Sequence, residues 1–168
     1  VLTSPKVMSR HVGFVSQDPE TQFIMDQVED DIAFTLENAA LSPDEIKDRV
    51  AKILYSLDLY GLKDRNIETL SGGERQRTAI GTALAFSPCV LILDEPTSNL
   101  DPHNANVIKE AIKKIQDKYN TTLLIASHDH IWLNSITEKI IRMHKGRVVD
   151  IGHSNLITGP WRKDIDNM

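Results

Sequence analysis

Leu70-Ser71-Gly72-Gly73-Glu74-Arg75-Gln76-Arg77 decides how this chain is read. A hydroxyl, two residues without Cβ atoms and a run able to continue as a helix from Glu74 to about Phe86 describe a helix N-terminus open to an anion. Such an end presents free backbone N–H groups and the positive pole of the helix dipole, and glycine lets a phosphate come within hydrogen-bonding distance. The same residues also suit a plainer role, a serine N-cap on an ordinary helix.

Downstream, Cys89-Val-Leu-Ile-Leu-Asp94-Glu95-Pro96 reads as a buried parallel strand ending in two carboxylates, with Thr97-Ser-Asn-Leu-Asp101 directly after it. In this order, glycine-containing helix start, acidic strand end and following loop, the chain resembles the ATP-binding cassette ATPases, the nucleotide-driven engines of membrane transporters. The resemblance extends over essentially the whole chain. It implies an α/β fold of the P-loop NTPase kind, a mostly parallel sheet with an inserted helical subdomain, and ATP and Mg²⁺ as cofactors. Residues 1–25 and 80–168 then form a partial nucleotide-binding core, and residues 26–79 the helical part that ends in the signature.

Composition agrees with one soluble globular unit of 168 residues. A formal charge of -5 offers nucleic acid no basic face, so no nucleic-acid partner is expected. The single cysteine, Cys89, cannot form an internal disulfide and is expected as a small core residue of the acidic strand. No apolar run approaches the roughly 18 to 20 residues needed to span a bilayer, and no charged-then-apolar leader is present. Membrane association is therefore expected to go through a partner.

From the N-terminal side, residues 1–10 show no clear periodicity, and His11–Ser16 reads as a short strand ended by Gln17-Asp-Pro-Glu. A continuous amphipathic helix is expected over Thr21–Asn38, with Val28, Ile32 and Leu36 inward and acids near its start. Ser42-Pro43-Asp44-Glu45 carries a capping box, and Ile46, Val50, Ile53, Leu54 and Leu57 form the stripe of the helix it starts. Tyr60–Lys63 turns the chain. Asp101-Pro102 caps a helix with Val107, Ile108, Ala111, Ile112 and Ile115 facing the sheet, and Thr121–Ala126 is a second buried strand. Ile140–Met143 and Arg147–Ile151 make a hairpin through Gly146, and the tail from Gly152 reads as surface helix or loop. Gln17-Asp-Pro-Glu-Thr-Gln22, Val28-Glu-Asp-Asp-Ile-Ala-Phe34 and Glu37-Asn38 sharpen the resemblance toward the energy-coupling-factor and cobalt-type importers of vitamins or metal ions.

Phosphoryl transfer to water needs a metal, donors around the γ-phosphate and a group that activates the nucleophile. Asp94 is placed to hold Mg²⁺, and Glu95, aimed differently one residue on, to act as general base. The resemblance implies that Gln17 joins the Mg²⁺ shell or holds the attacking water, and that His128, after the second strand, contacts the γ-phosphate. The other five histidines match no site or zinc spacing. By the same resemblance Ser71, Gly72, Gly73 and Glu74 close over ATP held by a second ATPase subunit, arranged head to tail. Ser98 and Asp101 belong to the loop crossing that interface, Asp101 also serving as an N-cap.

The family's phosphate-cradling Gly-x-x-x-x-Gly-Lys-Ser/Thr loop is expected upstream of all this, yet no glycine here is followed by lysine. The expectation is that the chain is the C-terminal part of an ATPase whose first segment is absent from it. The alternative is a degenerate or split subunit lending only its signature surface. By itself the chain is expected not to turn over ATP. In the intact protein, ATP hydrolysis would drive import through a transmembrane subunit, at the cytoplasmic face of the membrane. A non-transport cassette ATPase acting on DNA or ribosomes is the rival reading, but the long coiled-coil insertions and basic extensions common in that class are not found here.

Overall fold

A computed structural model of the chain describes residues 5–153 apart from 38 and 40. The expectations for the tail beyond 153 and for Asn38 lie outside the described residues. Two compact units are present, Val1–Ser127 and His128–Met168. In the first, α1 (Pro5–Met8) leads to β1 (Val12–Val15), α2 (Val28–Glu37), α3 (Pro43–Ser56), α4 (Gly72–Leu84), β2 (Val90–Asp94), α5 (Pro102–Tyr119) and β3 (Thr122–Ala126). The second holds α6 (His130–Asn134), β4 (Lys139–His144) and β5 (Arg147–His153).

The strands of the first unit form a parallel three-stranded sheet in the order β1-β2-β3, with Val15 beside Leu93 and Leu93 beside Ile125. Helices lie between the strands along the chain, so this is the expected α/β architecture. α2 packs on α3 and α4, and α4 also packs on α5 and β1. Val28, Ile32, Leu36, Leu54, Leu57, Ile80, Leu84, Leu91, Leu93, Ile108, Ile112 and Ile115 make up most of the core. The three helix starts read from sequence, those of α3, α4 and α5, are there. Ser42 Oγ accepts from the Glu45 N–H while Glu45 returns a carboxylate to the Ser42 N–H, and Asp101 caps α5 ahead of Pro102. Among the described residues no helix is long and apolar enough to cross a membrane.

One compact unit is expected from composition and two are found, and three further expectations need correction. The continuous helix over Thr21–Asn38 does not form: a 3-10 turn at Pro19–Gln22 gives way to extended chain, and α2 starts only at Val28. The reason is Asp31, 2% exposed, whose Oδ1 accepts the N–H groups of Ile24 and Met25 at 2.8 and 3.1 Å and whose Oδ2 accepts Thr82 Oγ1 at 2.8 Å. That carboxylate draws the preceding segment across the helix end and pins it to α4. Cys89 is not a core residue: β2 begins at Val90, and Cys89 lies exposed just before it, its thiol donating to the His11 carbonyl at 3.2 Å.

The third correction concerns the sheet. Its inner face, with Val15, Leu91 and Leu93, is buried, but Phe14, Ile92 and Leu124 stand in register on the other face, and Phe14 and Leu124 are 49% and 54% exposed. β3, expected to be buried, alternates between exposed and half-buried residues. Strand periodicity reveals that a residue is apolar, not what covers it.

In the second unit, the expected hairpin joins β4 and β5 antiparallel, with a register irregularity between Arg142 and Met143. Lys145 and Gly146 both have positive φ, 46° and 75°, the two-residue turn whose twist suits a tight hairpin. Trp132 and Leu133 on α6 are buried.

Candidate functional site

The carboxyl ends of parallel strands form the edge where open α/β sheets bind ligands. Register brings the residues leaving all three strands to that edge: Ser16 and Gln17 after β1, Asp94 and Glu95 at the end of β2, Ser127 after β3. Asp94 is half-buried, and among the described residues its carboxylate has no hydrogen-bond or ion-pair partner.

Glu95 leaves the strand at φ 45°, a conformation that costs a non-glycine residue about 1–3 kcal/mol. Several contacts hold it there. Its N–H donates to the Ala126 carbonyl at 2.8 Å, and its Oε2 accepts Ser127 Oγ at 3.2 Å. Ser98 donates both its N–H and its hydroxyl to the Glu95 carbonyl, at 3.2 and 3.1 Å. The left-handed turn aims Glu95 away from the direction of Asp94, so two adjacent carboxylates at one strand end have different surroundings. Ser127 was not assigned a role from sequence. Its only signal there is its place at the end of a strand.

Ser71 caps α4 in a full capping box. Its Oγ accepts the Glu74 N–H at 3.4 Å, and Glu74 Oε2 accepts the Ser71 N–H at 2.7 Å. That backbone N–H is the main reason the Glu74 carboxyl sits below its usual pKa, with Ser71 Oγ and the charges of Arg65 and Arg77 adding to it. Glu74, expected to face nucleotide, thus has its carboxylate turned back on the helix start, where it complements the dipole. Ser71 and Gly72 remain exposed.

Gly73 is buried, and a Cβ there would lie 2.4 Å from Asn104 Oδ1 and 2.8 Å from its Cγ. This glycine is therefore required by contact with α5. Asn104 is in turn fixed by Asp101, whose Oδ1 accepts its N–H at 2.9 Å and whose Oδ2 accepts its amide at 2.8 Å. The Asn104 backbone N–H, followed by its side-chain amide, holds the Asp101 carboxyl below the ordinary range. The loop after β2 and the first turn of α4 are thereby linked through one asparagine.

The turn after β1 is built by Gln22, whose Oε1 accepts the Ser16 N–H at 2.8 Å and whose amide donates to the Phe14 carbonyl at 3.3 Å. Gln17 is exposed at its crest. Glu20, in the same turn, pairs with Arg75, and Arg75 also donates to the carbonyls of Leu70 and Glu68 at 3.0 and 3.1 Å. His128 follows Ser127 directly and opens the second unit. As donors, the unpartnered Asp94 carboxylate and the exposed Gln17 amide suit a hard divalent cation. The exposed first N–H groups of α4 suit an anion.

The family model described as ABC transporter matches residues 3–98. An ABC transporter ATP-binding protein of Methanosarcina acetivorans is 43% identical over 150 residues, which is 88% of this chain and 24% of the relative. An energy-coupling factor transporter ATP-binding protein, EcfA1 of Streptococcus pneumoniae, is 39% identical over 83% of this chain and 50% of its own length. Among solved structures, cbiO1 of Clostridium perfringens, described as part of the ABC transporter complex cbiONQ, superposes with a TM-score of 0.87 and 34% identity, over 92% of this chain and 62% of that one. The chain thus spans between a quarter and somewhat over half of the relatives it matches. With more than half its length under the family model and its fold shared with a solved member, the chain belongs to the ABC transporter family.

Proposed function

We propose that this chain is part of an ATP-binding and ATP-hydrolysing subunit of an ABC transporter, and of an energy-coupling-factor-type importer of vitamins or metal ions in particular. One observation carries the catalytic reading: Asp94, whose carboxylate has no partner among the described residues, ends β2, and a sharply turned Glu95 follows it directly. Asp94, with Gln17, would hold Mg²⁺, which neutralises phosphate charge when bound. Glu95, supported by Ser127, takes the proton of the attacking water, while Gln17 orients that water. His128 meets the γ-phosphate.

Ser71 and Gly72 face nucleotide held by a second ATPase subunit arranged head to tail, Gly73 seats that helix start against Asn104, and Ser98 and Asp101 lie in the loop between the subunits. Residues 26–79 serve as the helical arm. A transmembrane subunit carries the cargo, and the assembly works at the cytoplasmic face of the membrane. The importer subclass is supported by the names of EcfA1 and cbiO1.

The test is Glu95→Gln in a protein that joins this chain to a phosphate-binding loop. ATP binding is expected to persist with a trapped dimer and turnover lost. Unchanged turnover removes Glu95 from the base role. The 168-residue chain alone, with no glycine followed by lysine, is expected to show no Mg²⁺-dependent hydrolysis, and measurable turnover would overturn the assignment of phosphate binding to a separate segment.

A further inference from the structure

Behind the exposed Ser71 and Gly72, the start of α4 rests on another stretch of its own chain, the loop after β2 and the first turn of α5. A Cβ at Gly72 would lie 3.4 Å from Leu100 Cδ2, and one at Gly73 only 2.4 Å from Asn104 Oδ1. Both glycines therefore face side chains drawn from residues 100–104, and that stretch is itself held. Leu100 donates its N–H to the Thr97 carbonyl at 3.1 Å, and Asp101 accepts the N–H and the side-chain amide of Asn104 at 2.9 and 2.8 Å. An asparagine gripped at two points by one carboxylate has little freedom to change rotamer. The capping box of Ser71 and Glu74 shapes the helix start from within α4. Leu100 and Asn104 thus fix where that start stands.

We propose that Asn104 is a positioning residue for the nucleotide-facing end of α4: through it, the placement of Asp101 sets the placement of Ser71 and Gly72. The inference rests on the reading of this end as the part that meets nucleotide on a second subunit. A backbone without Cβ can be approached closely, and close-packed groups pass a displacement on rather than absorb it. A shift of Asp101 therefore carries the first N–H groups of α4 with it. Hydrogen bonds depend on donor direction, and a misplacement of about 1 Å can cost about 100-fold in rate. Asp101 lies in the loop assigned above to the space between subunits, so engagement of that loop sets the aim of the anion-facing end beside it.

The experiment follows the backbone amide signals of Ser71 and Gly72 by NMR in the 168-residue chain without nucleotide. Asp101→Ser keeps an oxygen for the Asn104 N–H, and with it the helix cap, but offers none to the side-chain amide. This change is expected to shift both signals in the parent and to leave them in place in an Asn104→Ala chain. Equal shifts in the two backgrounds, the mark of a merely structural Asn104, would overturn the proposal. So would the absence of a shift in either.

In a protein joining this chain to a phosphate-binding loop, Asn104→Ala should lower turnover about tenfold while ATP affinity and the unfolding midpoint stay near those of the parent. Parental turnover in that variant would also overturn the proposal. A joined parent unable to hydrolyse ATP would instead refute the ATPase reading, and the amide signals alone would then decide whether Asn104 positions the end of α4.

Discussion

Replacing Gly73 with alanine tests whether this glycine is set by packing within the chain. In a helix, alanine is favoured over glycine by up to about 1 kcal/mol, so a free site would be stabilised. Here the new methyl would meet Asn104 Oδ1 at 2.4 Å, Cγ at 2.8 Å and Cβ at 3.2 Å. Asn104 cannot swing aside cheaply, because Asp101 holds both its N–H and its amide. Forcing one methyl into such a contact typically costs about 1–3 kcal/mol, which exceeds the propensity gain. The net expectation is a loss of about 1–2 kcal/mol, read as a drop of roughly 0.5–1 M in the urea midpoint at unchanged slope. Asn104→Ala removes the obstructing atoms while keeping the backbone cap to Asp101. The double variant should therefore recover most of what Gly73→Ala loses. A Gly73→Ala protein as stable as its parent, or a double variant with no recovery, would refute the reasoning.

Asp31→Ala orphans the Ile24 and Met25 N–H groups and the Thr82 hydroxyl, and should cost about 2–5 kcal/mol, with faster amide exchange at 24 and 25 as the local readout. The carboxyls of Glu45, Glu74 and Asp101 are all lowered in the folded chain. Their contribution is thus complete above the unfolded carboxylate range and is lost as pH falls through the folded values. Glu45→Gln with Glu74→Gln should flatten the decline of the urea midpoint between roughly pH 5 and pH 3, and an unchanged decline would contradict it. A double-mutant cycle on Glu20 and Arg75, one exposed and one largely covered, should give a coupling of at most about 1 kcal/mol that shrinks with salt. Leu124→Thr, on the bare sheet face, should change stability by about 0.5 kcal/mol or less while reducing dye binding and self-association at high concentration.

Much of the architecture is legible because it is local. Ser42 with Glu45, Asp101 with Pro102, and Gly146 between two apolar alternations each specify a helix start or a turn within a few residues. The place of Asp94 and Glu95 at the end of a strand is readable for the same reason, since it is marked by an apolar run ending in two acids. Illegible features depend on distant partners. Asp31 looks like a first-turn acid that favours its helix, and only the fold shows it gathering backbone donors from seven residues upstream. Gly73 reads as an opening for phosphate, but Asn104, far along the chain, supplies the contact that forbids a side chain. Cys89 belongs by composition to the strand it precedes, and only the position of the first ladder bond leaves it outside. Ser127 acquires meaning only when β3 is laid beside β2.

The in-register row of Phe14, Ile92 and Leu124 has a practical corollary. Parallel sheets ordinarily depend on cover from both sides, and within the first unit this one has a greasy flank facing water. Such a molecule is sticky by construction: handling it at high concentration invites clumping through that flank, and additives that wet apolar surfaces should keep it dispersed longer than any change of salt.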